Sequence, residues 1–75
     1  MVLAYVMVKA RTGDADRIRD EIAAIEGIVE AHIVAGDFDF IAKVDVNSPD
    51  DVRDVVASKI RALDGVEDTR TYLAM

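Results

Sequence analysis

Two carboxylates alternate with two phenylalanines in the stretch Ala35-Gly36-Asp37-Phe38-Asp39-Phe40. This alternation is typical of a half-buried strand, which turns apolar side chains to one face and polar side chains to the other. Asp37 follows Gly36 in a pair that favours a tight turn, where an Asp also serves its own backbone. An acid beside such a turn can also bind a cation. We therefore consider Asp37 and Asp39 as candidate ligand-binding residues, with a solvated strand start as the alternative.

Other kinds of reactive site find little support in the sequence. His32 is the only histidine and there is no cysteine, so neither a Cys–His pair nor a Cys-based metal site is possible. Thr12-Gly13-Asp14 is too short for a phosphate-binding loop. Asp50-Asp51 is interpreted as a helix cap, and His32 as a structural or interface residue. We expect no enzymatic activity, no metal and no cofactor.

Composition limits the class of protein further. The chain has 75 residues, 52% of them hydrophobic, and a net charge of −6. Its nine Lys and Arg residues are scattered, whereas nucleic-acid binding requires a basic surface. The apolar start, Met1–Val8, is too short to span a bilayer and lacks the features of a signal peptide. We expect a soluble cytoplasmic protein, made of a single domain over residues 1–75, with neither nucleic acid nor membrane as a direct partner.

Hydrophobic periodicity divides the chain into four strands and two helices. The predicted strands are Val2–Ala10, Ile28–Ala35, Phe38–Val46 and Val66–Ala74. The first helix carries apolar residues at helical spacing and ends at Gly27: Ala15, Ile18, Ile22 and Ile25. The second helix opens at Ser48-Pro49-Asp50-Asp51, ends at Gly65, and buries Val52, Val55, Val56, Ile60 and Leu63.

The two halves of the chain repeat. Ile22–Ile28 matches Ile60–Val66 at an offset of 38, whereas Ile18-Arg19-Asp20 matches Val52-Arg53-Asp54 at an offset of 34. The difference of four predicts a second helix that is about one turn longer. The order β-α-β-β-α-β with right-handed crossovers predicts a ferredoxin-like α+β sandwich, in which a four-stranded antiparallel sheet carries both helices on one face.

The sheet face away from the helices, called the open face below, is predicted to be an interface. The apolar sets expected to face the helices are Val29, Ala31, Ile33 and Ala35 of the second strand and Phe38, Phe40, Ala42, Val44 and Val46 of the third. Alternation then places the following residues on the open face: Leu3, Tyr5, Met7, His32, Val34, Asp39, Ile41, Arg70 and Tyr72. Aromatic, Met and Arg side chains are typical of interface cores. A domain this small has little core of its own, so we expect at least a dimer.

Two longer segments, Glu30–Val44 and Leu63–Met75, resemble the C-terminal domain of the Lrp/AsnC family of leucine- and asparagine-responsive regulators, known as the RAM domain. The most specific similarities are the Gly-Asp-Phe-Asp hairpin, Gly36–Asp39, and the Gly-Val-x-x-Thr-x-Thr pattern of Gly65–Thr71. Asp64 departs from the family, whose members often carry Pro there. The family's helix-turn-helix is not part of this sequence, so the resemblance is to a stand-alone RAM domain.

The resemblance implies a function. RAM domains dimerise through their sheets and assemble into larger rings, with an amino-acid effector between dimers. By analogy, Asp39 and Asp37 would bind the effector's ammonium, and the backbone around Gly36 and Phe38 would meet its carboxylate. Thr69 and Thr71 match the threonines of the family's last strand and would line the pocket, although the internal repeat turns them towards the helices. Full-length Lrp/AsnC regulators are further expected partners, and the chain itself would not bind DNA.

Three other functions remain open at this point. An ACT-like regulatory module shares the fold and also binds amino acids. A small dimeric ferredoxin-like enzyme of the monooxygenase kind would need a functional histidine in a deep pocket. A purely structural oligomer would bind no effector.

Overall fold

The structure is a computed structural model that describes residues 1–11 and 13–75. Thr12, which belongs to the turn predicted over Arg11–Asp14, lies outside the described residues. The elements in chain order are β1 (Val2–Ala10), α1 (Ala15–Ala23), β2 (Ile28–Ile33), β3 (Phe40–Val46), α2 (Pro49–Arg53), which continues into a π-helical segment (Asp54–Ile60), and β4 (Val66–Leu73).

The four strands form one antiparallel sheet in the order β2-β3-β1-β4. This is the predicted ferredoxin-like topology, with β1 and β3 in the centre and β2 and β4 at the edges. The second helix has five α-helical and seven π-helical residues against nine in α1, so it is longer by nearly one turn, as the repeat predicted.

The core lies between the sheet and the helices. Its buried side chains come from one face of each central strand, from Ala31 of β2 and from the apolar stripes of both helices: Ala4, Val6, Val8, Ala31, Phe40, Ala42, Val44, Ile18, Ile22, Val52, Val55, Val56 and Ile60. The helix stripes agree with the prediction in part: Ile25 and Leu63 are only partly buried, and Ala15 is exposed. No helix within the described residues is long and apolar enough to cross a bilayer.

Two predictions about β2 are wrong. The strand ends at Ile33 instead of Ala35, and a β-bulge lies between Ile28 and Glu30. The bulge shifts the alternation by one residue, so that Ile28 packs against the core and Val29 is exposed. A single sequence does not reveal the bulge, because both residues are apolar and β-branched.

The predicted start of the third strand is also wrong, since β3 begins at Phe40 instead of Phe38. The last backbone hydrogen bond of the hairpin runs from the Val34 N–H to the Asp39 oxygen, at 2.9 Å. Residues 35–38 therefore form a four-residue loop beyond the ladder. The pairing of Ile33 with Phe40 still has the register that a turn centred on Gly36-Asp37 requires.

Ser48 caps the second helix as predicted. Its Oγ accepts a hydrogen bond from the Asp51 N–H at 3.3 Å, and Pro49 occupies the first helical position. Ser48→Ala should lower the free energy of unfolding by about 1 kcal/mol, because the Asp51 N–H loses its side-chain acceptor and keeps only the Ser48 backbone oxygen, at 3.1 Å. Thermal melts measure the effect. Ser58→Ala, at an exposed position in the same helix, is the control, and equal losses in the two variants would mean that the cap contributes nothing.

Candidate functional site

Residues 34–39 connect β2 to β3 and lie next to the end of β1. The Asp39 N–H donates to the Val8 oxygen at 2.9 Å, and Lys9 Nζ donates to the Asp37 backbone oxygen at 3.2 Å. In this topology β1 runs antiparallel to β3, so its last residues must adjoin the first residues of β3. The loop and the end of β1 therefore form one structural unit.

The Asp39 carboxylate has one oxygen committed to this unit. Its Oδ2 accepts a hydrogen bond from the Ala10 N–H at 2.9 Å. Ala10 lies at an irregularity in the pairing of β1 with β4, where a backbone N–H leaves the regular ladder. Among the described residues no donor bonds the other carboxylate oxygen of Asp39, so one oxygen is held in place and one is free to accept a ligand.

Asp39 lines a cavity of about 240 Å³ between the first turn of α1 and one end of the sheet. The walls of the cavity are mainly apolar and come from β1, α1, the β2–β3 loop and β3: Ala10, Gly13, Ala15, Ile18, Ile33, Val34 and Phe40. The predicted open-face position of Asp39 is therefore wrong, because the strand alternation stops at Phe40 and Asp39 turns to the backbone of Ala10. Val34, placed on the open face for the same reason, also lies in the loop and lines this cavity.

A basic residue, Arg11, also lines the cavity, and the sequence did not predict it as a site residue. Its N–H donates to the Gly65 oxygen at 2.8 Å, which fixes the backbone beside the cavity. Its guanidinium lies 3.8 Å from Asp64 in an exposed ion pair, which is weak and leaves the side chain available. The predicted topology could have placed Arg11 near Asp39, because a residue directly after β1 must lie next to the residue directly before β3.

Arg17 supports the same end of the molecule. It bonds Glu21 one turn along α1, at 2.6 Å, and reaches the backbone oxygen of Asp64 at 3.3 Å. The hydrogen bond from Arg17 to Glu21 raises the pKa of this exposed guanidinium above its ordinary value. Arg17 therefore stays charged and connects α1 to the turn that precedes β4.

Gly36, Asp37 and Phe38 lie outside the cavity. Asp37 and Gly36 are exposed, and a side chain at Gly36 would meet no atom within 4 Å. Phe38 was predicted to face the helices, but the Arg70 guanidinium lies 5.9 Å from its ring centroid. Arg70 pairs with Met7 on the open face, so the loop turns Phe38 towards that face.

Thr69 and Thr71 are separated from Asp39 by β1. Thr69 pairs with Val8 and Thr71 with Val6, whose side chains are buried on the helix side of the sheet. The facing derived from the repeat is thus correct. Thr71 lines a different cavity, between β4 and the second helix. A single subunit does not bring these threonines together with the Asp39 carboxylate.

The strand residues predicted on the open face are found there. Tyr5 pairs with Tyr72 and with Lys43, Met7 pairs with Ile41 and Arg70, and Leu3 precedes them on the same face. Tyr5 and Tyr72 are 39% and 56% exposed, so two large aromatic side chains on neighbouring strands are each only partly covered. His32 pairs with Ile41, and its Nε2 lies 3.3 Å from the Glu30 carboxylate.

Comparison with known proteins identifies the family of this chain. The family described as the Lrp/AsnC ligand binding domain matches residues 3–75. The chain belongs to this family. It is 32% identical over 75 residues to the leucine-responsive regulatory protein of Haemophilus influenzae, a match that covers 100% of this chain and 45% of that protein. The chain thus spans about half the length of the curated relatives that it matches.

Solved structures share the fold of this Lrp/AsnC domain. TTHA0845 from Thermus thermophilus is 32% identical with a TM-score of 0.95, and the match covers 100% of this chain and 94% of that one. The transcriptional regulator NMB0573 of Neisseria meningitidis, solved in complex with L-Met, has a TM-score of 0.86. At 14% identity, over 99% of this chain and 49% of that one, NMB0573 shows the shared fold only.

Proposed function

We propose that this chain is an amino-acid-sensing regulatory domain that acts in the cytoplasm and modulates transcription or amino-acid metabolism instead of catalysing a reaction. The observation that carries the proposal is the cavity beside the β2–β3 loop. It is lined by an acidic residue, Asp39, and a basic residue, Arg11, on walls that are otherwise mainly apolar.

A free α-amino acid matches this arrangement. Its ammonium would bind the free oxygen of Asp39, its carboxylate would bind Arg11 and exposed backbone N–H groups near Gly36, and its side chain would contact Ile18 and Phe40. Charge-assisted bonds at both ends distinguish an amino acid from an amine or an acid that has one charge. A cavity of about 240 Å³ is smaller than most drug-sized pockets, which suits a ligand of this size.

The relatives support a regulatory role. The Haemophilus relative, at 32% identity, is a leucine-responsive regulatory protein. This chain covers only about half the length of such proteins. A regulatory activity of this chain is therefore part of the proposal. The net charge of −6 opposes binding to phosphate, so we propose that these 75 residues do not bind DNA themselves.

Assembly is the second part of the proposal. The open face of one copy packs against that of another to give a dimer, and dimers assemble further with the exposed loop around Gly36–Phe38 at their contact. The effector would then lie between dimers, with Asp39 as its anchor. The same open face would also join this chain to full-length Lrp/AsnC regulators.

Calorimetric titration with each of the twenty amino acids tests the sensing function. We expect saturable binding of one or a few amino acids with apolar side chains. The matching α-keto acid and the matching decarboxylated amine should each bind at least about tenfold more weakly, because each lacks one charge-assisted bond. The proposal would be contradicted if none of the twenty amino acids gave a heat of binding, or if the keto acid bound with the same affinity as the amino acid.

A further inference from the structure

A second cavity, separate from the one at Asp39, is lined by an apolar surface. It has a volume of about 350 Å³ and lies between the second helix and the edge strand β4. We call it the β4 groove and define it by Val52, Val56 and Ala57 on the helix and Thr71 and Leu73 on the strand. The π-helical segment begins inside this surface, and π-helical turns occur frequently at functional sites.

Two arginines also line the β4 groove. Arg53 and Arg61 are eight residues apart on one helix, and both are exposed. Within the described residues neither makes an ion pair, whereas Arg11, Arg17 and Arg19 each lie within 4 Å of a carboxylate. Asp50 and Asp54 lie near Arg53 but form no ion pair with it, so both arginines of the groove keep their charge available to an acidic partner.

The edge of β4 offers backbone groups beside the same groove. The Ala74 N–H donates to the Leu3 oxygen at 2.9 Å, which fixes which residues of β4 bond to β1. Along an antiparallel pair, residues that bond to the neighbouring strand alternate with residues that do not. The N–H and C=O groups of Thr71 and Leu73 therefore point away from β1. The Thr69 N–H also points outward, but the Asp68 carboxylate occupies it at 2.9 Å. The free part of the edge is therefore the part next to the groove.

We propose that the β4 groove binds an extended acidic peptide segment of a partner protein, which adds to the sheet as a fifth strand beside β4. The peptide backbone pairs with Thr71 and Leu73, one apolar side chain enters the groove, and acidic side chains on either side of it bind Arg53 and Arg61. This inference is independent of the effector cavity at Asp39.

The spacing of the charges specifies the peptide. At the α-helical rise, eight residues would place Arg53 and Arg61 roughly 12 Å apart along the helix axis. The stretch between them is π-helical and rises less per residue, so this distance is an upper bound, and the long Arg side chains span the difference. In an extended strand, residues i and i+4 are on one face and about 13 Å apart. The matching peptide therefore has an apolar residue with an acid two positions before it and another acid two positions after it. The two acids would meet the two arginines, and the apolar residue would meet the apolar surface between them.

The probe is a fluorescein-labelled seven-residue peptide with Val at its centre, Glu two residues to either side and Thr elsewhere. Fluorescence anisotropy should show saturable binding to the full 75-residue chain. Each of Arg53→Gln and Arg61→Gln should weaken binding about threefold and the double variant about tenfold, as expected for exposed charge pairs. Lys59→Gln removes a charge from another side of the same helix and should leave affinity unchanged.

Two further measurements test the strand pairing. A peptide N-methylated at the central Val and at both Glu residues keeps its charges but loses backbone donors, and it should fail to bind. NMR titration with the unmodified peptide should shift the Thr71 and Leu73 amides. The proposal is overturned if the peptide does not bind, if it binds the double arginine variant equally well, or if the NMR shifts are confined to the open face. It is also overturned if the Thr71 and Leu73 amides shift when the protein is concentrated without peptide, because that result would identify a second copy as the occupant.

Discussion

Tyr5→Asp should convert the proposed oligomer into a monomer, or into an unfolded chain. Tyr5 lies at the centre of the open face, between Lys43 and Tyr72. If two open faces pack together, the new carboxylate is buried without a partner. A penalty of at least about 2 kcal/mol raises the dimer dissociation constant at least about 30-fold.

Light scattering at micromolar concentration, together with a thermal melt, measures the outcome. The parent should have at least the mass of a dimer. Ser58→Asp adds the same charge at an exposed helix position away from the sheet and should keep the parent's mass and melting temperature. A parent that is monomeric under these conditions, or a Tyr5→Asp variant with the parent's mass, would refute the open-face dimer.

The reason to expect a large effect is the small size of the core. A chain of about 60–75 residues buries only about 60% of the surface that it exposes when unfolded. The open face leaves Tyr5 and Tyr72 exposed, with Met7 and Ile41 beside them. Covering this apolar surface adds burial that the monomer cannot supply. Loss of the dimer should therefore also lower the melting temperature.

Much of the fold followed from the sequence because short-range signals and the internal repeat agree. Alternation identified the central strands, and the offset between the halves gave the longer second helix. Ser48 and Pro49 specified where that helix begins. These features depend on neighbouring residues along the chain, and a single sequence contains that information.

The errors share a physical cause. The bulge at Val29, the turning of Phe38 and the position of Asp39 all depend on partners distant in sequence. Asp39 leaves the strand pattern because the Ala10 N–H, 29 residues earlier, bonds its carboxylate. Arg11 was missed because its importance comes from lying beside the β2–β3 loop in space. Side-chain alternation predicts facing only as far as the strand is paired, and here the pairing ends at the β2–β3 loop.

Asp39→Asn should weaken amino-acid binding about 10- to 100-fold, since it removes a charge-assisted hydrogen bond to the ammonium. The Asn carbonyl oxygen can keep the bond from the Ala10 N–H, and its NH₂ group then points to where the ammonium would bind. The fold should therefore survive with a loss of about 1 kcal/mol or less. Calorimetry with the amino acid that binds the parent best, and thermal melts, measure the two effects.

Three further variants separate the site from its surroundings. Arg11→Gln should weaken binding of the amino acid less than Asp39→Asn, about three- to tenfold, because Arg11 is exposed. Asp37→Asn should have little effect, because the Asp37 side chain lies outside the cavity and Asn also favours turns. Asp50→Asn, at the second helix, should have none. Equal affinity in Asp39→Asn and the parent, with both folded, would place the ammonium elsewhere, and Asp39 would then serve only to join the loop to the end of β1.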